Sequence, residues 1–390
     1  MRQFSLGLLL LFLFATGANL PNAVAQTSAE SNVQQRLVRG KTVQSERDEQ
    51  EALFDYYFRG HKLKYETRLS KLKTAASVPS WRIPYSGDIY PQAYGGMGDV
   101  SGRGGRGRTG ASVLSLYDRA FNGGQDQANA YEVQRVLGSG RPLFVSLRLR
   151  RVNEGWEGYC SGLTAAAIRH PEPANPVDAG KVGGTPGVVF QPSDIKALLS
   201  SIYNRTTDDS WIYLAPPSAG DGGPNMGTFH LALANYVGQA GHPVGIDRTK
   251  GNAPWNNPIY SYEVTSLRDA GSTAHLHYKT VETTITYSFY GPDEGTQTDR
   301  ASGEVRGNQR QSMYLRYTLA LDDEGKIVGG NALSDSGYFL WLPLYAVQGA
   351  SDGKSPGNPH IDVKKVIALA RASALPENQK RFDEETIGRQ

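Results

Sequence analysis

A single cysteine among 390 residues excludes an intramolecular disulfide framework and any zinc site built from several thiolates. Charge of one sign is equally scarce. Forty-one Lys and Arg against 38 Asp and Glu leave a formal charge of +3, too little to imply a nucleic-acid partner. No apolar run approaches the roughly 20 residues a membrane-spanning helix requires, and no repeat with a period of about 20–50 residues recurs. What the chain does have is 45 Gly, 21 Pro and 39% hydrophobic residues. That composition describes a loop-rich globular protein with enough apolar side chains for a large core, held together by packing alone.

The chain begins with Arg2, an apolar run Leu6–Phe14 and then Ala23-Val24-Ala25 before Gln26, the pattern of a signal peptide over residues 1–25. A secreted or periplasmic protein is therefore expected. In an oxidising compartment a lone thiol invites unwanted oxidation unless it is buried or useful, which makes Cys160 the first functional candidate. Residues 26–78 read as an N-terminal leader, with an amphipathic helix expected over Asp48–Leu72; the segment is either a removable propeptide or a leader whose helix docks on the fold. Residues 79–375 form the expected catalytic domain, followed by a charged tail over 376–390. Within the domain, Gly95–Gly110 is a glycine-rich loop carrying Arg103, Arg106 and Arg108, read as solvated rather than as a nucleic-acid contact.

The spacing predicts helices over Ser112–Phe121 and Asn129–Leu137 and a strand over Leu143–Arg151. A short buried helix after Cys160 is stopped by His170-Pro171. Pro192-Ser193-Asp194 opens a further helix, with Ser193 its candidate cap. Beyond Thr228 the pattern is β-rich: Phe229–Val237, Val244–Asp247, Ile259–Val264, His275–Tyr290, Met313–Leu321, Lys326–Val328 and Tyr338–Leu344, with Asp322–Gly325 a hairpin turn. Ile361–Ser373 is the last helix.

A cysteine attacks as its thiolate, and a helix N-terminus offers partial positive charge and free N–H groups to that anion. Cys160 is expected at such a position and so is the candidate nucleophile. Of the seven histidines, His230 begins the strand-like segment after Phe229, and Asp247 ends Val244–Asp247 seventeen residues later. Pairing of those two segments as a hairpin brings His230 and Asp247 together as base and orienter; Asp221 is the competing orienter. His275 and His277 lie two apart but lack a third ligand, so no metal is expected.

Three segments taken together resemble the secreted transglutaminase elicitors of oomycete plant pathogens and their bacterial relatives. They are Trp156–Ala167 with Pro171-Glu172-Pro173, then Phe229–Asp247 with Trp255-Asn256-Asn257-Pro258, and finally Gly325–Gly330 running to Phe339–Pro343. The sequence departs from the family at Leu163, where Trp is usual, at Asn257, where Gln is usual, and at Asn331-Ala332, where Glu-Trp is frequent. The resemblance implies an α+β fold with a transglutaminase-like or papain-like core: the cysteine on a central helix packed on an antiparallel sheet, preceded by an N-terminal helical region. It implies Cys160 as nucleophile, His230 as base and Asp247 as orienter, with Trp156, Tyr159 and Trp255 shaping the site. The implied activity is protein-glutamine acyl transfer through a Cys thioester, using protein substrates with glutamine and lysine or small amines, with no cofactor and no nucleic-acid or membrane partner. A cysteine protease, amidase or deamidase using the same triad is the hydrolytic alternative, and a non-catalytic surface protein the remaining one.

Overall fold

The computed structural model describes residues 43–58, 63–91, 96–98, 111–137, 158–204, 211–218, 222–250, 254–290, 309–343 and 353–378. The expected signal peptide, the strand over Leu143–Arg151, the arginines of the glycine-rich loop and most of the charged tail lie outside them. Among the described residues seven α-helices are found: α1 Val43–Phe58, α2 Val113–Phe121, α3 Ala128–Leu137, α4 Cys160–Arg169, α5 Pro192–Tyr203, α6 Met226–Ala232 and α7 Val363–Ser373. The main sheet comprises β1 Ala75–Ser77, β2 Trp211–Ala215, β3 Val244–Asp247, β4 Asn256–Ser272, β5 His277–Phe289, β6 Gln309–Leu321, β7 Ile327–Ala332 and β8 Phe339–Pro343. Their order is β7-β6-β5-β4-β3-β8-β2, with β1 pairing on β4 and every pair antiparallel. The fold is thus α+β, as expected.

Strand alternation divides the core in two. On β8, Leu340 and Leu342 enter a cluster with Ile246, Phe229, Leu315 and Tyr317, while Trp341 enters another with Cys160, Tyr290 and Leu163. On β3, Val244 and Ile246 face the first cluster, so Gly245 and Asp247 face the second. Register carries the same division across strands: Gly245 pairs with Trp341, and Asp247 pairs with both Phe339 and Asn256. Helix α4 therefore packs on one face of the sheet and α6 on the other.

Helix α4 is buried along almost its whole length, which its run of small residues permits. Gly162 is the point of closest approach to α5: a Cβ there would lie 2.1 Å from the Ser200 carbonyl oxygen. At its far end, Arg169 Nε donates to Pro343 O at 2.6 Å, tying the helix to the end of β8. Helix α5 starts with Pro192, and Asp194 reaches back to accept from the Gln191 amide at 3.0 Å. The cap is Gln191, and Ser193 lies inside the helix.

The largest departure from the sequence reading is Phe229–Val237, expected as a strand. It is helical, α6 continuing as a π-helix over Leu233–Gln239. Asn225 caps it by accepting from the amides of Gly227 and Thr228, and every residue from Met226 to Gly238 is buried. A short run buried on all sides has no solvent face, so its periodicity cannot separate strand from helix. The hairpin expected between this segment and Val244–Asp247 therefore does not form; β3 lies between β4 and β8.

The N-terminal segment is integral to the sheet's second face. Phe54 and Phe58 of α1 meet Tyr236 edge-on at 5.3 and 5.7 Å, Asn235 bonds to both the amide and the carbonyl of Glu66, and Ala75–Ser77 adds a strand to β4. The expected helix over Asp48–Leu72 ends at Phe58. The described part of the segment packs on the α6 face of the sheet.

Candidate active site

Cys160 is the first residue of α4, and its side chain is buried, with 8% of the residue exposed. The helix start is held from behind. Tyr159 N donates to Ile89 O at 2.6 Å, the Tyr159 hydroxyl accepts from Arg135 at 3.2 Å, and Arg135 grips the fully buried Glu132 through Nε at 2.8 Å and Nη2 at 2.7 Å. The aromatic residue next to the thiol is thus a fixed anchor of the nucleophile's helix.

Around the sulfur, donors converge. Asn256 Nδ2 lies 4.0 Å away, and the amides of Asn256 and Ser161 and the Tyr290 hydroxyl also favour the thiolate. Tyr290 donates to Asn256 O at 2.9 Å, binding the two neighbours together. The thiol in turn points at Pro254 O, 3.6 Å off, on the turn that joins β3 to β4. Burial nevertheless outweighs the donors and pushes the Cys160 pKa up. The depression expected from the helix terminus alone does not survive desolvation. Alkylation of Cys160 should accordingly accelerate only at pH values above the ordinary thiol range of about 8.5; a rate profile with an inflection below it would refute the burial account.

Asp247 faces this same space. Its Oδ1 accepts from Trp255 N at 2.9 Å, Thr249 N at 3.2 Å and Thr249 Oγ1 at 3.3 Å, fixing the turn that passes over Cys160. Its Oδ2 is buried with no hydrogen-bond partner, and burial raises the carboxyl pKa. Trp255, half-buried, packs on Tyr290 at 5.8 Å; it is a wall of the site. Trp156 and Asp221 lie outside the described residues.

His230 is not part of this constellation. Its Nδ1 meets the Tyr317 hydroxyl at 2.7 Å, which in turn meets Thr283 Oγ1 at 2.8 Å, and these groups belong to the opposite face of the sheet. The structure joins His230 to neither Cys160 nor Asp247. Burial lowers the imidazole pKa to about 4. The unfolded chain therefore binds a proton below about pH 6.5 that the folded chain refuses until about pH 4, so His230's contribution is complete above 6.5 and lost as pH falls towards 4. The loss is about 3 kcal/mol, and His230→Gln should flatten it. Urea midpoints at pH 7 and 4.5 check this; equal acid sensitivity in parent and variant would exclude His230 as its source.

His275 and His277 sit in an exposed turn beside Asp323, at 3.7 and 3.3 Å. Among the described residues no group of three or more His, Cys, Asp or Glu could hold a metal ion. The sequence reading missed Asn256, Tyr290 and Trp341 as site residues. Asn256 lies within the Trp255–Pro258 motif and Trp341 within the Phe339–Pro343 segment it singled out, whereas Tyr290 carried no local signal.

These features define an α+β protein of transglutaminase-like architecture. Its structure is similar to the crystal structure of the GP42 transglutaminase from Phytophthora sojae, with a TM-score of 0.61 and 20% sequence identity over 83% of this chain and 97% of that one. Residues 220–371 match the family model described as transglutaminase elicitor, and the kinship expected from the sequence is shown across that segment. The match contains Asp247, Asn256, Tyr290 and Trp341, while Cys160 precedes it. No curated protein matches the chain.

Proposed function

We propose that the protein is an exported protein-glutamine acyltransferase whose nucleophile is Cys160. The observation that carries this is the convergence of Asn256, Tyr290 and the Ser161 amide on a thiol at a helix start, on the same face of the sheet as the buried Asp247 carboxylate. Such donors stabilise the anion once a substrate is in place, although burial suppresses it at rest. The thiolate attacks a glutamine carboxamide, ammonia leaves, and a lysine or small amine resolves the thioester. Kinship with transglutaminase elicitors and similarity to the GP42 transglutaminase support that chemistry over other uses of a cysteine. In this reading Cys160 keeps its role as nucleophile, Asp247 passes from orienter to site acid, and His230 is a buried structural histidine. Export rests on the signal pattern at residues 1–25; among the described residues no helix is long and apolar enough to cross a membrane.

The test is mass spectrometry of a glutamine-containing donor peptide incubated with the full exported protein and a primary amine. Gain of the amine with loss of ammonia is expected. Conversion of glutamine to glutamate in the presence of the amine identifies a deamidase instead, and backbone cleavage a protease.

A further inference from the structure

Residues 63–91 run as a strap from one face of the sheet to the other. Tyr65, Leu72 and Val78 belong to the cluster that contains Tyr236, whereas Tyr85, Ile89 and Tyr90 belong to the one that contains Cys160. At its start the strap is held by α1: Phe54 meets Tyr65 edge-on at 5.5 Å, and the Tyr65 hydroxyl donates to Gln50 Oε1. It then pairs with β4, the strand that carries Asn256, through β1 and through Val78 N, which donates to Tyr260 O at 2.8 Å. Further on, Ser288 Oγ donates to Pro84 O at 2.6 Å and Lys196 Nζ to Ser86 O at 2.9 Å. The strap ends against the start of α4. Ile89 O accepts from Tyr159 N at 2.6 Å, and a Cβ on Gly158 would stand 2.3 Å from that same oxygen. Next to Ile89, Tyr90 has a φ of +47°, the one non-glycine residue in the left-handed region among the described residues. A side chain held there stores strain that its surroundings must offset, so the strap meets the nucleophile's helix under tension.

The other end is loosely made. Of the described side chains of α1 only Gln50, Phe54 and Phe58 are buried. Gln50 Nε2 and Tyr236 Oη have no hydrogen-bond partner, although the residues are 3% and 0% exposed, and both lie around Phe54, which packs on Tyr236 at 5.3 Å. Arg47 Nη1 to Ile327 O at 3.3 Å and Thr228 Oγ1 to Glu46 at 3.4 Å are long bonds. Undocking of α1 returns water to both orphaned groups, which lowers the cost of a local opening. We propose that α1 is a latch that opens by local unfolding, and that the strap carries its docking to the start of α4, so that the exposure of Cys160 follows the state of α1. Docked, α1 keeps the strap taut and the thiol buried under the turn at Pro254. Undocked, Tyr65 loses its partners, the strap slackens along β4, and the sulfur gains solvent while Asn256 and Tyr290 disperse from it. For its effect on turnover the proposal rests on the acyl-transfer reading; the coupling is read on the thiol alone.

The test is amide hydrogen exchange together with iodoacetamide alkylation of Cys160 at fixed pH, on the full chain and two variants far from the sulfur. In the parent, α1 should exchange faster than α4 and β5. Tyr236→Phe removes an orphaned hydroxyl and keeps the ring, so it should slow both α1 exchange and alkylation about fivefold. Phe54→Ala removes the ring that seats α1 and should speed both at least about tenfold, with β5 exchange unchanged. Reciprocity adds a third arm: the alkylated protein, with a bulky group in a site built for a buried thiol, should exchange α1 faster than the unmodified one. An α1 that exchanges as slowly as α4 in the parent overturns the latch. So does a change in α1 exchange that leaves the thiol's rate where it was. If Phe54→Ala does not fold, Tyr236→Phe decides by itself, and an unchanged rate of either kind overturns the proposal. The two readings fail differently: coupling without amine incorporation refutes acyl transfer and leaves the latch, whereas incorporation by a protein whose thiol ignores α1 refutes the latch and leaves acyl transfer.

Discussion

Cys160→Ala should lower amine incorporation by roughly 10⁴-fold or more, since loss of the nucleophile removes the covalent route and leaves only what binding and the surrounding donors contribute. The fold should survive. The side chain is small, it ends in a cluster made by Leu163, Tyr290 and Trp341, and the helix start is secured through Tyr159, Arg135 and Glu132, none of which uses the sulfur. Circular dichroism and the thermal midpoint should therefore stay close to the parent's while turnover disappears. A variant within tenfold of the parent, equally folded, would remove Cys160 from the mechanism and favour the reading of a non-catalytic surface protein.

Gly162→Ala should be among the most destabilising single substitutions available to this protein, by about 3 kcal/mol. The added Cβ would stand 2.1 Å from the Ser200 carbonyl oxygen and 3.0 Å from its carbon. Both are backbone atoms of α5, so no rotamer change relieves the contact and the two helices must separate. Alanine favours a helix over glycine by only about 1 kcal/mol, too little to offset the clash. Since Gly162 is two residues from Cys160 on α4, separation also shifts the thiol away from Asn256 and Tyr290. Chemical denaturation should report the loss of stability, and the fraction that remains folded should show reduced kcat. By contrast Gly325→Ala, at a left-handed turn with nothing within 4 Å of the new Cβ, tests strain without packing and should cost less. Equal losses for the two substitutions would refute helix approach as the cause.

The strands of the main sheet beyond Thr228 could be read locally, because strands with one partly exposed face keep the two-residue alternation that solvent imposes, as β5 does in burial from His277 to Phe289. The short pair Lys354–Ser355 and Asn358–Asp362 was missed, and Phe229–Val237 was read as a strand though it is helical. Cys160 and its helix were legible for a different reason: there is a single cysteine, and the proline after His170 together with the small-residue run marks its helix. Asp247 was singled out too, but as the orienter of His230. Spacing along the chain suggested that Asp247 and His230 meet, yet seventeen residues of separation allow a hairpin and a helix-to-strand crossover equally well. The latter puts the imidazole behind the sheet.

What the sequence by itself determined is therefore the chemistry available and the elements that alternate: a lone thiol at a helix start, an antiparallel sheet, and a core held without disulfides. The tertiary structure decided which side chains share a face. In a sheet that choice is made by register, and one residue of register moves a side chain to the other side of the protein. Register places Asn256, Asp247 and Trp341 with Cys160, and leaves His230 with Tyr317. It also decided the sign of the thiol's pKa shift, since a helix terminus is a local property but desolvation depends on the turn and aromatic rings that distant parts of the chain bring over the sulfur.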